Sequence, residues 1–233
     1  MQKLVSRRPA PAIPAEKRAR RAILLTGFGP FPGMPENATS HIVPEVAKAA
    51  RSAFPGYEVH WSVLPTEWRA APSRLAALHE DMAPELSLHL GVSSMARGFE
   101  IEARARNVTA PHIDAAGELP PSDRLASDAP EFLAAALPTR LLVERLRRQG
   151  LPAYLSWDAG TYLCNALLYH ALLASRRAGG PRRVGFVHIP AWLVERRRAH
   201  RRRHPDMAPL DRARAVAGTL EIIAGALTRP RVG

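Results

Sequence analysis

Apolar runs and apolar stripes alternate along this chain. Ala22 to Thr26 is a mostly apolar run closed by Gly27, Gly29 and Pro30, the pattern of a strand buried on both faces of a parallel sheet. A proline-rich loop follows. From about Ser40, Val43, Val46, Ala47 and Ala50 recur at helical spacing. The alternation repeats: Tyr57 to Leu64 predicts a strand, Trp68 to Met82 a helix, and Leu86 to Val92 a strand. Ile101, Ala103 and Ala105 alternate with Glu102, Arg104 and Arg106, which predicts a half-exposed strand. Residues 109–130 are rich in Pro, Asp and Ala and predict a long surface loop, a kind that often carries function. Glu131 to Leu137 predicts a short helical turn before Pro138, and Thr139 to Gln149 a helix ended by Gly150. Ala153 to Trp157 and Val184 to Ile189 predict short strands flanking a helix from about Thr161 to Arg177, and a last helix runs from about Leu210 to Thr228. Strands alternating with helices imply a single-domain three-layer α/β/α sandwich with a largely parallel twisted sheet. There is no internal repeat.

Composition narrows the setting. A chain of 233 residues, 46% hydrophobic, fits one domain with a sizeable core. Residues 1–21 are broken by Pro9, Pro11 and Pro14 and show no apolar periodicity, so they read as a flexible basic extension, with 22–233 as the α/β domain. No apolar run approaches the ~20 residues of a membrane span, and the amino-terminal stretch lacks the h-region of a secretory signal. With a single cysteine, no internal disulfide is possible, and the cytoplasm is the expected location. The formal charge of +12 is local. Seven basic side chains against Glu16 in residues 1–21, and six arginines with no acid in residues 196–203, account for all of it. The remainder is formally neutral, so the basicity belongs to two appendages and not to a charged groove. His200 and His204 have the i, i+4 spacing of a helical metal pair, but six arginines and Pro205 surround them, and no metal or other cofactor is expected.

Two residues draw attention as chemistry. Cys164 lies in Asp158-Ala-Gly-Thr-Tyr-Leu-Cys-Asn165, where Gly160 and Thr161 mark a turn into a helix. Free N–H groups and the positive end of a helix dipole there favour a negative sulfur and would serve an oxyanion. An unpaired cysteine is, by itself, as readily a small core residue. His188 ends the strand Val184-Gly-Phe-Val-His-Ile-Pro190, at the edge where open parallel sheets place their sites. The strand before the Cys164 helix is expected to end at that same edge, so the two side chains would converge. Among nine histidines a lone one is also readily structural, and Glu102 is equally a surface residue paired with Arg104 or Arg106.

Four ordered blocks then resemble one family, the type I pyroglutamyl peptidases. Thr26-Gly-Phe-Gly-Pro-Phe31 with Asn37 and Ser40 is similar to the family's opening loop. Gly160-Thr-Tyr-Leu-Cys-Asn165 is similar to its nucleophile motif, and Phe186-Val-His-Ile-Pro190 to its histidine motif. Gly91 to Val108 is similar to the segment with its catalytic acid, placed here at Glu102 with Asn107 following. The resemblance covers about residues 22–228. It implies a cysteine exopeptidase that removes an N-terminal pyroglutamyl residue from blocked peptides through a Cys164 thioester. His188 would be the base, with Glu102 orienting the imidazole. It further implies Phe28, Phe31 and Tyr162 as walls of a pocket for the neutral lactam, Asn37 as a brace of the opening loop, and a homo-oligomeric assembly.

The chain departs from the family pattern at the substrate side. Val92 stands where the family usually has Gln, His112 where it commonly has Arg, and Ser93-Ser-Met-Ala-Arg97 replaces a Gly-rich stretch. These departures leave a same-fold hydrolase with a different N-acyl specificity as the alternative. A nucleic-acid-binding protein using Arg196 to Arg203 is a weaker one, because that run has no interleaved aromatics and is read better as a solvated surface.

Overall fold

The computed structural model describes residues 21–194 and 210–228. The expectations for residues 1–20, for the arginine run 196–203 and for His200 and His204 lie outside them. Strand β1 (Arg21–Phe28) carries Ile23, Leu24 and Leu25, all fully buried, as a run covered on both faces requires. Arg21, assigned by sequence to the extension, is instead the first residue of β1. It pairs in register with Tyr57, and its guanidinium lies 4.6 Å from the centre of that ring. Helix α1 (Ala38–Ala53) starts before Ser40 because Asn37 caps it, its Oδ1 accepting from Thr39 N at 3.1 Å. There follow β2 (Tyr57–Leu64), α2 (Ala70–Met82) and β3 (Leu86–Ser93). The second half contains β4 (Phe99–Glu102), β5 (Arg104–Arg106), β6 (Phe132–Ala134), α3 (Thr139–Arg148), β7 (Ala153–Ser156), α4 (Leu163–Ser175), β8 (Arg183–Pro190) and α5 (Arg212–Leu227).

The central sheet has the order β2-β1-β3-β8-β4-β7. Its first four strands are parallel; β4 runs antiparallel to β8, and β7 runs parallel to β4. Helices α1, α3 and α5 pack together on one face, and α2 and α4 on the other. Each face has its own apolar cluster, so the expected three-layer sandwich with a largely parallel sheet is what forms.

Three local expectations change. The strand foreseen over 101–106 is two strands. Ala103 N still donates to Ser156 O of β7, but Ala103 O accepts from Ala135 N, and β5 leaves the sheet to pair with β6. The turn foreseen at 131–137 is the strand β6, in which only Leu133 is buried between exposed Phe132 and Ala134. That period-two alternation outweighs the short helical pattern. Finally, β7 does not end at the same edge as β8. It points the other way, with Ser156 level with Glu102, and residues 157–162 carry the chain back to α4.

Candidate active site

The carboxyl ends of β1, β3 and β8 place Phe28, Val92 and His188 along one edge of the sheet, where they line a cleft of about 520 Å³. β3 and β8 are paired so that Gly91 lies opposite His188. Cys164 reaches the cleft from the start of α4. Gly160, with φ of +81°, makes the turn, and its N–H is held by Asp158 Oδ1 at 3.0 Å. Tyr162 is the helix N-cap and makes no side-chain cap, so the first turn of α4 begins with backbone N–H groups at its open end. Cys164 is therefore second in the helix and only partly buried, as its position in the sequence block implies.

His188 stands between two acidic neighbours. Its Nδ1–H donates to Glu102 Oε1 at 2.7 Å, and Glu102 is 1% exposed. Cys164 lines the same cleft as His188 and lies near enough to the ring to raise its pKa. Burial of the imidazole lowers its pKa, but Cys164 and then Glu102 outweigh that and push it up to about 10. The arrangement holds a positive imidazolium in a buried place, next to a sulfur. Among the described residues Glu102 Oε2 has no hydrogen-bond partner. The strand reading of Glu102 as an exposed partner of arginines does not hold, because its side chain turns inward to the histidine.

The opening loop and α4 supply the aromatic wall. Phe31 and Tyr162 lie 5.9 Å apart between ring centres, and Trp68 meets Tyr162 edge-on at 5.2 Å. Tyr162 OH donates to Ile113 O at 3.1 Å, and burial, with Asp114 and Cys164 nearby, raises its pKa to about 12. Asn37 lines the cleft, but its amide is spent on the loop: Nδ2 donates to Gly29 O at 3.1 Å while Oδ1 accepts from Thr39. Val92 also lines the cleft. His112 does not. It is exposed, sets its ring edge-on to Tyr162 at 6.0 Å, and its carbonyl accepts from Trp68 Nε1 at 2.9 Å.

Several residues at the site escaped the reading of the sequence. A Cβ on Gly91 would stand 2.6 Å from Phe186 Cζ and 3.0 Å from the Cys164 sulfur, so only glycine leaves the sulfur its place. Asn165, beside the cysteine, ties α4 to the end of β5 and the loop after it. Its Oδ1 accepts from Arg106 N at 2.8 Å, and its Nδ2 donates to Arg106 O and Val108 O. Asp114 is 2% exposed and accepts from Trp68 N, Ala116 N and Glu118 N. Burial raises its pKa, but these backbone donors outweigh burial and hold it below the usual carboxylate value. The long loop foreseen at 109–130 is thus pinned at its base. Glu100, two residues before Glu102, also lines the cleft. The alternating glutamates were the one visible signal for it. Among the described residues there is no group of His, Cys, Asp and Glu able to hold a metal ion, and no helix long and apolar enough to cross a membrane.

Comparison with known proteins identifies the family and the fold. Residues 21–225 match a family model described as pyroglutamyl peptidase. The chain is similar to a pyrrolidone-carboxylate peptidase of Thermococcus litoralis, 33% identical over 171 residues, which are 73% of this chain and 76% of that protein. A pyrrolidone-carboxylate peptidase of Brevibacillus brevis is 32% identical over 191 residues, 81% of this chain and 86% of that one. Among solved structures, a mutant pyrrolidone carboxyl peptidase from Pyrococcus furiosus superposes with a TM-score of 0.76 at 26% identity, covering 88% of this chain and 98% of its own.

Proposed function

This chain belongs to the pyroglutamyl peptidase family, a family of cysteine peptidases, and on that premise we propose that it removes N-terminal pyroglutamyl residues from peptides, with Cys164, His188 and Glu102 as the catalytic set. The observation that carries the reading is the buried His188–Glu102 hydrogen bond of 2.7 Å, in a cleft that His188 and Cys164 both line.

Glu102 occupies Nδ1, which leaves Nε2 for the thiol proton. His188 takes that proton, and the sulfur attacks the carbonyl carbon of the pyroglutamyl residue. The oxyanion forms beside the open N–H groups at the start of α4, where the helix dipole favours negative charge. The imidazolium then gives its proton to the departing amine as the C–N bond breaks, leaving a thioester on Cys164. Water, deprotonated by His188, hydrolyses that thioester and restores the thiol. Glu102 holds the ring in place and offsets its positive charge. Phe28, Phe31 and Tyr162 form apolar walls suited to the methylenes of a lactam ring. Asn37 keeps the loop that bears Phe31 in shape, and His112, at the position where the family commonly has Arg, stands edge-on to Tyr162 at the rim of that wall.

Release of a fluorogenic amine from a pyroglutamyl conjugate tests the reading. Turnover is expected for the wild type and is expected to vanish in Cys164→Ala. A folded wild-type protein without turnover overturns it and favours a different N-acyl group, which the apolar Val92 side chain in the cleft would accommodate. The resemblance also implies assembly with copies of the same chain in the cytoplasm, and sedimentation velocity giving a monomer would reject the assembly.

A further inference from the structure

Most polar side chains lining the cleft are already committed. Asn37 is bonded to Gly29 and Thr39, Thr66 Oγ1 donates to Gly29 O, and Ser93 Oγ accepts from Met95 N and Ala96 N. Asp158 accepts from Gly160 N and faces Arg106, Tyr162 OH donates to Ile113 O, and His188 is held by Glu102. Glu100 differs from all of these. It lines the same cleft, half-buried, yet among the described residues its carboxylate accepts no hydrogen bond and forms no ion pair. It is paired in register with His188 across β4 and β8, so its acceptor oxygens belong to the strand pair that carries the base. Burial raises its pKa; His188 pulls the other way, and Glu102 adds to the rise. The cleft therefore already removes part of this carboxylate's water without returning a donor, a cost that a donor on the substrate would recover.

We propose that Glu100 is a specificity-determining residue of this site, and that its carboxylate accepts the hydrogen bond of the ring N–H in the N-terminal lactam. The inference rests on the pyroglutamyl reading above and deepens it. A lactam ring presents one donor, its N–H, and one acceptor, its C=O. An ionised carboxylate can only accept, so the ring N–H is its complement. The Val92 side chain offers that N–H no acceptor, and the aromatic walls take only the methylenes. A site that desolvates an acceptor for one N–H rejects an isostere lacking it, because the acceptor is then left unpaired.

The test compares steady-state kinetics on two amide conjugates, the pyroglutamyl one and its 5-oxotetrahydrofuran-2-carbonyl isostere, in which oxygen replaces the ring N–H. The wild type is expected to prefer the lactam by about 10- to 100-fold in kcat/KM, the range of one hydrogen bond to a charged group. Glu100→Ala is expected to raise KM for the lactam by a similar factor, to leave kcat nearly unchanged, and to lose the discrimination. Glu100→Gln, which keeps an acceptor oxygen but loses the charge and gains a donor for the ring oxygen of the isostere, is expected to retain only a small part of it. Equal use of both conjugates by the wild type overturns the inference without reference to any variant. So does a Glu100→Ala loss confined to kcat, which would place the effect on His188 and not on substrate. Absence of any lactam turnover by the wild type overturns the parent reading and this inference together, whereas turnover without discrimination overturns this inference alone.

Discussion

Gly91 and Cys164 share one small volume: the position a side chain would take on Gly91 lies 3.0 Å from the sulfur, on the strand residue paired with His188. A methyl there would also stand 2.6 Å from Phe186 Cζ, closer than real contacts allow. Gly91→Ala is expected to cost about 1–3 kcal/mol of stability through overpacking, and to lower kcat about 100-fold by moving the sulfur off its line. Urea unfolding and kinetics on the folded variant check both. A variant destabilised but fully active would show that the sulfur has room to spare.

Glu102→Gln removes the charge that faces His188 while keeping a hydrogen-bond acceptor. The expected loss in kcat is about 10²- to 10⁴-fold. The pH profile gives the direction independently. Cys164 and Glu102 push the His188 pKa up to about 10 against the opposing effect of burial, so the alkaline limb of activity moves to lower pH in the variant. The stability contribution of this raised pKa is fully present below the unfolded value of about 6.5 and is lost as pH rises through about 10. Wild-type urea midpoints near neutrality and above about pH 10 read that loss, which should be smaller in Glu102→Gln.

A second polar chain is fully enclosed beside the site. Thr26 Oγ1 and His89 Nδ1 are 2.8 Å apart, His89 Nε2 and Ser87 Oγ 3.2 Å, and Ser87 Oγ and His79 Nε2 2.8 Å. Burial lowers His79 to about 4, while burial and then the neighbouring His79 lower His89 to about 3. Both are neutral in the folded protein and protonate readily when unfolded. Their contribution is present above the unfolded pKa of about 6.5 and is lost as pH falls toward about 4. Unfolding free energy at about pH 4.5 is expected to lie below its neutral value by about 2 kcal/mol for each histidine, and a flat profile would contradict the enclosure.

Asn165→Ala strips three hydrogen bonds that join α4 to residues 106–108. The loss should be about 1–3 kcal/mol, and hydrogen exchange should quicken from 106 into the pinned loop while the β1 amides stay protected. Unchanged exchange at 106–118 would mean that Asp114 and Asn107, whose amide bonds Leu125, Ala126 and Ala129, hold the loop alone.

The layered fold was legible because β1, β3 and β8 are short apolar runs and the helices between them keep helical spacing, signals that local sequence carries. The reversal of β4 and β7 was not, since strand direction is set by pairing and leaves no periodic mark. The positions of Cys164 and His188 at element ends followed from glycine turns and strand ends. Glu102 could not be separated from an exposed strand residue by alternation alone, because its inward turn depends on the histidine across β8. The roles of Gly91 and Asn165 arise from close approach between segments far apart in sequence, which no local pattern records.

In the proposed mechanism the Cys164 sulfur itself carries the acyl group. Rapid acid quench during turnover of a pyroglutamyl conjugate, followed by peptide mass spectrometry, reads this directly. The peptide containing Cys164 should gain the mass of one pyroglutamyl group, and Glu102→Gln should fill that state more slowly. Continued turnover in Cys164→Ala, or the acyl group found on any other residue, would contradict it.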